Sequence, residues 1–214
     1  MKIGIVAGGP REEIPQLHSY KNEIDYWIGA DSGAIVLLEQ GIPIHLALGD
    51  FDSVSELEYE QIKQHTVNIE EYPSEKDETD LELALNEGLK LDPEKIYLFG
   101  VTAGRIDHEL INMQQLYRLL SHDIDAVIVD CHHEISLYKP GKYIVKKSEN
   151  YPYVSFIPFT PVVENVSLEG FYYKLTNTNV QWGSTLCMSN KITEETSSFT
   201  FTEGILLMIK SRDK

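Results

Sequence analysis

The chain has 214 residues, 42% of them hydrophobic and 24% charged, which is enough to bury a core in one domain or two. Its 18 Lys and Arg residues stand against 34 Asp and Glu, a formal net charge of −16 that repels phosphate backbones at long range and argues against nucleic acid as a partner. The notable apolar runs, Ala34 to Leu38 and Gly204 to Ile209, fall far short of the roughly 20 residues a membrane helix needs, so no membrane partner is expected.

Met1-Lys2-Ile3 enters a strand-like segment directly, without a basic n-region, a long apolar stretch or a small-residue cleavage site, so a cytoplasmic protein is expected. From there to about Asp130 short apolar runs alternate with helical patterns. Lys2 to Ala7, Tyr26 to Ala30, Ile44 to Leu48, Thr66 to Glu70, Lys95 to Phe99 and Ala126 to Val129 read as short buried strands. Thr79 to Lys90 reads as a helix, with Leu81, Leu85 and Leu89 four apart behind the capping-box pattern Thr79-Asp80-Leu81-Glu82. In Ile106 to Leu120 the residues Ile106, Leu110, Met113, Tyr117 and Leu120 repeat at helical spacing, and that stripe is expected to face a core. Cys131 and Cys187 are far apart and match no metal-binding spacing, which predicts free thiols. After His132 helical periodicity gives way to β-prone runs such as Lys142 to Lys146, Tyr153 to Phe159, Val162 to Leu168 and Phe199 to Phe201. Pro140-Gly141, Gly170 and Thr176-Asn177-Thr178-Asn179 read as turns between them. The predicted architecture is a Rossmann-like α/β domain over 1–133, a parallel sheet with flanking helices, followed by an all-β sandwich over 134–214.

Three polar signatures fall where strand-like runs give way to helices, the sheet edge at which α/β enzymes place their sites. The first is Gly49-Asp50-Phe51-Asp52-Ser53. If the chain stays extended here, Asp50 and Asp52 point to one side and Phe51 to the other, a grip for a divalent cation. In a strand-end turn, Asp52 or Ser53 instead caps the next helix. The second is Lys76-Asp77-Glu78-Thr79-Asp80 at a helix start, where Lys76 suits a phosphate and Asp80 either joins the other carboxylates or offsets the helix dipole. The third is Gly104-Arg105-Ile106-Asp107-His108, with Asn112 on the face of His108. A guanidinium fork suits phosphate, while His and Asn suit ribose or base edges. The alternative has Asp107 capping its helix and pairing with Arg105 on the surface. Asp31, after another strand-like run, is either an N-cap or a further carboxylate at the same edge, and Gly8-Gly9-Pro10 is a tight turn able to approach phosphate. Neither G-x-x-x-x-G-K-[ST] nor G-x-G-x-x-G after a strand is present, so any triphosphate site is built differently. Together the signatures point to metal-assisted chemistry on a nucleoside triphosphate.

In this order, and with the tail segments Gly170-Phe171-Tyr172-Tyr173-Lys174-Leu175 and Ser189-Asn190, the chain resembles the thiamine pyrophosphokinases over nearly its whole length. The resemblance implies transfer of a diphosphate from ATP to the hydroxyethyl group of thiamine, with AMP released. It implies a catalytic carboxylate set of Asp31, Asp50, Asp52 and Asp80, of which Asp50, Asp52 and Asp80 bind Mg2+. It assigns ATP to Arg105, Asp107, His108 and Asn112, with Lys76 and Thr79 close to the phosphates. Tyr173 would stack on thiamine and Ser189 would hydrogen-bond its pyrimidine; read without the family, Tyr173 is an ordinary outward-facing strand residue. The resemblance also implies a homodimer whose sites lie between the α/β domain of one subunit and the β domain of the other. Two positions depart from the family pattern: Ala103 stands where glycine is common, and Ser32 where glycine is frequent. The rival readings are another Mg-dependent nucleotide phosphotransferase or hydrolase, and a non-catalytic nucleotide-binding module.

Overall fold

Residues 1–213 are described by a computed structural model. Contacts divide the chain between Cys131 and His132 into two units. In the first, β1 (Lys2–Val6), β2 (Tyr26–Ala30), β3 (Ile44–Gly49), β4 (Thr66–Glu71), β5 (Lys95–Phe99) and β6 (Asp125–Val129) form parallel pairs in the order β4-β3-β2-β1-β5-β6. Connecting them are α1 (Gly33–Glu39), α2 (Glu56–His65), α3 (Asp80–Leu89) and α4 (Ile106–Ser121). Strands covered on both faces read as continuous apolar runs, and Ile3, Ile5, Val6, Ile28, Leu98 and Phe99 are fully buried. β4 differs from the expected buried strand: it pairs only with β3, and Val67 on it is 75% exposed. Its Thr-Val-Asn-Ile-Glu-Glu sequence suits such an edge. The strand order reverses at β1, whose neighbours β2 and β5 lead away in opposite directions. Open α/β sheets have their crevice at such a point, beyond the carboxyl ends of the strands.

One helix is not among the predicted elements, and another buries a different face from the one expected. α2 carries only one fully buried residue, Ile62, so its apolar periodicity is too weak to read, although Ser55 and Glu58 form a capping box with bonds of 3.3 and 2.9 Å. In α4 most of the expected apolar stripe is turned outward: Ile106, Leu110 and Tyr117 are 69%, 56% and 47% exposed and Met113 and Leu120 half-buried, whereas Leu116 and Leu119 are buried. The sheet-side row is Asn112, Leu116 and Leu119, spaced four and three, and Asn112 spends its amide N–H on the carbonyl of Val101 at 2.8 Å. Apolar residues on two faces gave two possible stripes, and the longer one faces away from this chain's core. Among the described residues, no helix is long and apolar enough to cross a membrane.

Buried Tyr97 on β5 donates its hydroxyl to Glu23, which Lys2 also approaches at 3.3 Å. The Tyr97 bond, more than Lys2, holds the Glu23 carboxyl below its usual range. A lowered folded-state pKa stabilises above the unfolded value, and that stability is lost as pH falls through the folded value. Tyr97→Phe is therefore expected to cost about 1 kcal/mol at pH 7, modest because Glu23 is half-exposed, with the deficit shrinking once Glu23 protonates. Denaturant unfolding at neutral and acid pH measures both parts.

The second unit holds β7 (His133–Tyr138), β8 (Gly141–Lys146), β9 (Tyr153–Pro158), β10 (Val162–Glu169), β11 (Leu175–Gln181), β12 (Thr196–Phe201) and β13 (Leu206–Ser211). Antiparallel pairing gives β7-β13-β9 and β11-β10-β12-β8, two layers closed over Phe156, Phe171, Val163, Val166, Phe199 and Leu206. This is the predicted all-β sandwich. The Thr176 to Asn179 segment, expected as a turn, lies within β11. Its turn chemistry serves irregular pairing with β10: Asn165 and Asn177 have positive φ, Asn165 N–H donates to Asn179 Oδ1 at 3.0 Å, and Asn177 N–H donates to Ser167 Oγ at 2.9 Å.

Candidate active site

The reversal of strand order in the first unit opens a cleft of about 750 Å³, within the range of small-molecule sites. Its floor is the junction of β1 and β5, where Ala7 N–H bonds Phe99 O and Gly9 N–H bonds Gly100 O, each at 2.9 Å. A Cβ on Gly9 would lie 2.5 Å from that Gly100 oxygen, so the Gly8-Gly9 turn passes where no side chain fits. Asp31, Asp50, Lys76, Thr79, Asp80, Arg105, His108 and Asn112 line the cleft; Asp52 and Asp107 are outside its lining.

The carboxylates converge through turns rather than by strand alternation. β3 ends at Gly49, and Phe51 takes a left-handed conformation with φ of 55°. Its buried ring packs on Tyr59 at 5.1 Å and pins the turn. Asp50 and Asp52 are therefore not alternate residues of an extended strand: the chain folds back and Asp52 N–H donates to Asp50 Oδ1 at 3.1 Å. Asp31, at φ of 50°, is tied to β3 by its N–H on Leu48 O at 2.8 Å. One oxygen from each of Asp31, Asp50 and Asp52 lies within 4.8 Å of the others. Ser53 Oγ donates to Asp31 Oδ2, while Asp31 Oδ1 is buried without a hydrogen-bond partner among the described residues. Three converging carboxylates, one with an orphaned buried oxygen, fit a hard divalent cation. Their repulsion is visible in their acidities. The Asp52 N–H, with Ser74 and Lys76, holds Asp50 below the usual carboxylate range, and the Asp50 charge followed by burial and Asp31 pushes Asp52 above it.

Asp80 stands beside this group, joined to it by Lys76. The Lys76 ammonium is 2.7 Å from Asp80 Oδ1 and 3.9 Å from Asp50 Oδ2, with only 11% of the side chain exposed. Thr79 caps α3, its hydroxyl accepting from Glu82 N–H at 3.2 Å, and so places Asp80 in the first turn.

The loop before α4 closes the other side. Thr102 Oγ1 donates to Asp130 at 2.7 Å and the Asn112 amide holds Val101. Ala103 has φ of 62°, which accounts for the fit of glycine at this position. Ala103→Gly is expected to stabilise by about 0.5–1 kcal/mol, relief of left-handed strain outweighing the entropy of the unfolded glycine. A thermal melt of the variant tests this. Ser32 has φ of −62° and a helical ψ, so its backbone requires no glycine. Arg105 is 75% exposed and grips Asp107 through bonds of 3.1 and 2.6 Å. That pairing holds the Asp107 carboxyl down to about 2, and Asp107 Oδ1 also accepts the His108 N–H at 3.1 Å. Asp107 thus faces Arg105 and the helix end.

Tyr173 and Ser189 lie in the second unit. Tyr173 is on the β10–β11 connection rather than on a strand, 59% exposed, with its ring perpendicular to that of Tyr172 at 4.9 Å. Ser189 is exposed, and its N–H donates to Ser155 Oγ at 2.9 Å. Two cleft residues carried no signal of their own in the sequence. Ser74 follows a featureless Tyr72-Pro73, and Arg11 follows the Gly8-Gly9-Pro10 turn but is engaged by Glu39 and by Glu58, the latter at 3.6 Å.

Comparison with known proteins places these features together in one family. The profile for the thiamin pyrophosphokinase catalytic domain matches residues 17–128, and that for the thiamin pyrophosphokinase vitamin B1 binding domain matches residues 142–206. The thiamine pyrophosphokinase of Bacillus subtilis (strain 168) is 44% identical over 211 residues, 99% of each chain. A crystal structure of thiamine pyrophosphokinase from Bacillus subtilis superposes with a TM-score of 0.95 at 42% identity, covering 100% of both chains. The thiamin pyrophosphokinase of Candida albicans keeps the fold at 18% identity, with a TM-score of 0.83 over 99% of this chain and 89% of its own. With both domains matched and nearly half its residues shared with a full-length relative, the chain belongs to the thiamin pyrophosphokinase family.

Proposed function

We propose that the chain transfers the terminal diphosphate of ATP to the hydroxyl of thiamine, giving thiamine diphosphate and AMP. The observation that carries this reading is the convergence of Asp31, Asp50 and Asp52 at the mouth of a cleft large enough for a nucleotide. The thiamine oxygen attacks the β-phosphorus, the bond between that phosphorus and the α,β-bridging oxygen breaks, AMP leaves with that oxygen, and the hydroxyl proton passes to solvent. Asp31, Asp50 and Asp52 are the residues that would hold Mg2+, with Asp80 set beside them by Lys76. Bound there, the ion offsets the charge of the polyphosphate chain. Gly8 and Gly9 let the chain approach the phosphates closely, and Arg105, Thr79, His108 and Asn112 orient the nucleotide along the cleft. Asp107 serves the nucleotide indirectly by fixing the Arg105 fork.

Tyr173 and Ser189 are the proposed thiamine contacts; a cation over an aromatic face gains roughly 0.5 to 2 kcal/mol. The active form in this reading is a homodimer, with the cleft of one copy completed by the second unit of the other. The outward apolar face of α4, immediately after Arg105, supports a covering partner. Light scattering should give twice the chain mass. The two cysteines, neither in a disulfide, suit a cytoplasmic protein, and burial pushes the Cys187 thiol up to about 11.

Mass-spectrometric analysis of products from ATP, magnesium and thiamine tests the reaction. AMP and thiamine diphosphate in equal amounts, formed only when both substrates are present, are expected. ADP, or hydrolysis without thiamine, would indicate another phosphotransferase or hydrolase, and nucleotide binding without turnover would indicate a non-catalytic module.

A further inference from the structure

We infer that Asn190 is a positioning residue for the acceptor substrate: its buried amide fixes the Tyr173 backbone, and through it the ring that meets thiamine. The inference rests on the reading of Tyr173 as a thiamine contact. Asn190 is only 1% exposed, and burying a side-chain amide is costly unless its polar groups are paired. Here they are paired across a loop. Oδ1 accepts the N–H of Tyr173 and of Lys191, each at 2.9 Å, and Nδ2 donates to the Tyr173 carbonyl at 2.8 Å. The side chain thus behaves toward Tyr173 as a neighbouring strand's peptide group would, holding both its donor and its acceptor.

Asn190 is itself anchored, exchanging two backbone hydrogen bonds of 2.8 and 2.9 Å with Val154 of β9. The loop it grips is pinned further back. Phe171 is fully buried and bridges Ile192, and Tyr172 N–H donates to Lys191 O at 2.8 Å. The Tyr172 and Tyr173 rings are left standing in solvent on a backbone with little freedom. A pre-set ring loses less entropy when a ligand arrives, so a fixed loop favours affinity for the acceptor without touching it. Ser189, next in the chain, hangs from the same anchor through its N–H on buried Ser155.

Asn190→Asp preserves size and the Oδ acceptor but replaces the donor facing the Tyr173 carbonyl. Asn190→Ser is a second variant that introduces no buried charge. Both are assayed with Tyr173→Ala and the double variant Tyr173→Ala/Asn190→Asp, with melting curves recorded for each. The expected result is a thiamine KM raised about tenfold in Asn190→Asp and less in Asn190→Ser, with the ATP KM and kcat within about twofold of the parent. In the double variant, the thiamine KM should lie within about twofold of that of Tyr173→Ala alone, because the asparagine acts through that residue. If the Asn190 variants melt normally or lower but keep the parental thiamine KM while Tyr173→Ala raises it, Asn190 is structural only and the inference falls. Full additivity in the double variant also overturns it. An unchanged thiamine KM in Tyr173→Ala removes the reading underneath, and the inference with it.

Discussion

Asp52→Asn is expected to lower turnover by about 10³-fold while leaving the protein as stable as before or more so. The activity loss follows from removing one of three carboxylates whose oxygens lie within 4.8 Å of one another. A shortfall of about 4 kcal/mol in transition-state stabilisation corresponds to that factor. The stability effect has the opposite sign because Asp52 is held in an unfavourable place. The charge of Asp50 first, then burial and Asp31, raise its pKa in the folded protein. A raised carboxyl pKa destabilises the folded state above the folded value, and the penalty fades as pH falls through that value toward the unfolded one. Any stability gained by Asp52→Asn should therefore be present at pH 7 and vanish in acid. Capping of the following helix falls to Ser55, so Asp52→Asn removes no cap and should cost no stability. Paired measurements of kcat and melting temperature at two pH values check both effects. Near-native turnover would remove Asp52 from the proposed metal site.

The sheet was legible because strands buried on both faces must be apolar throughout, and runs such as Ile44 to Leu48 have no other use. The cleft was legible because Asp50, Lys76 and Arg105 each sit just past a strand or just before a helix. What could not be read was the means of convergence. The positive φ of Asp31 and Phe51 brings the carboxylates together, and no residue type announces left-handed backbone at a phenylalanine. Periodicity failed in α4 for a related reason: Ile106, Leu110 and Tyr117 are as apolar as a core row, and only the position of the sheet shows that Leu116 and Leu119 are the buried ones. Thr176 to Asn179 misled because asparagine serves bulges in an edge strand as readily as turns. Each failure occurs where tertiary context overrides a local pattern, and two of the three border residues assigned to substrates.

Lys76→Met is the second substitution with a large expected effect, and its outcome distinguishes two roles. As a phosphate contact, the ammonium would matter for ATP and little for the fold. Its position argues for a structural role as well. It is nearly buried, 2.7 Å from Asp80 and 3.9 Å from Asp50, so its removal leaves two carboxylates without the cation they share. Breaking a fully buried ion pair costs about 3–5 kcal/mol; with the Asp80 side chain 30% exposed, about 2 kcal/mol is the reasonable expectation here. Asp50 would also lose one of the groups that keep it ionised, and kcat/KM for ATP should fall about 10²-fold. Adding Asp80→Asn to Lys76→Met removes one of the stranded charges and should recover most of the lost stability. It should recover none of the activity, because the carboxylate beside the proposed metal-binding group is then missing as well. If Lys76→Met leaves stability unchanged and raises only the ATP KM, the lysine is a phosphate contact and the Asp50–Lys76–Asp80 bridge carries no weight in the fold. If the double variant regains turnover, the loss in Lys76→Met came from repulsion between Asp50 and Asp80, and Asp80 leaves the catalytic set.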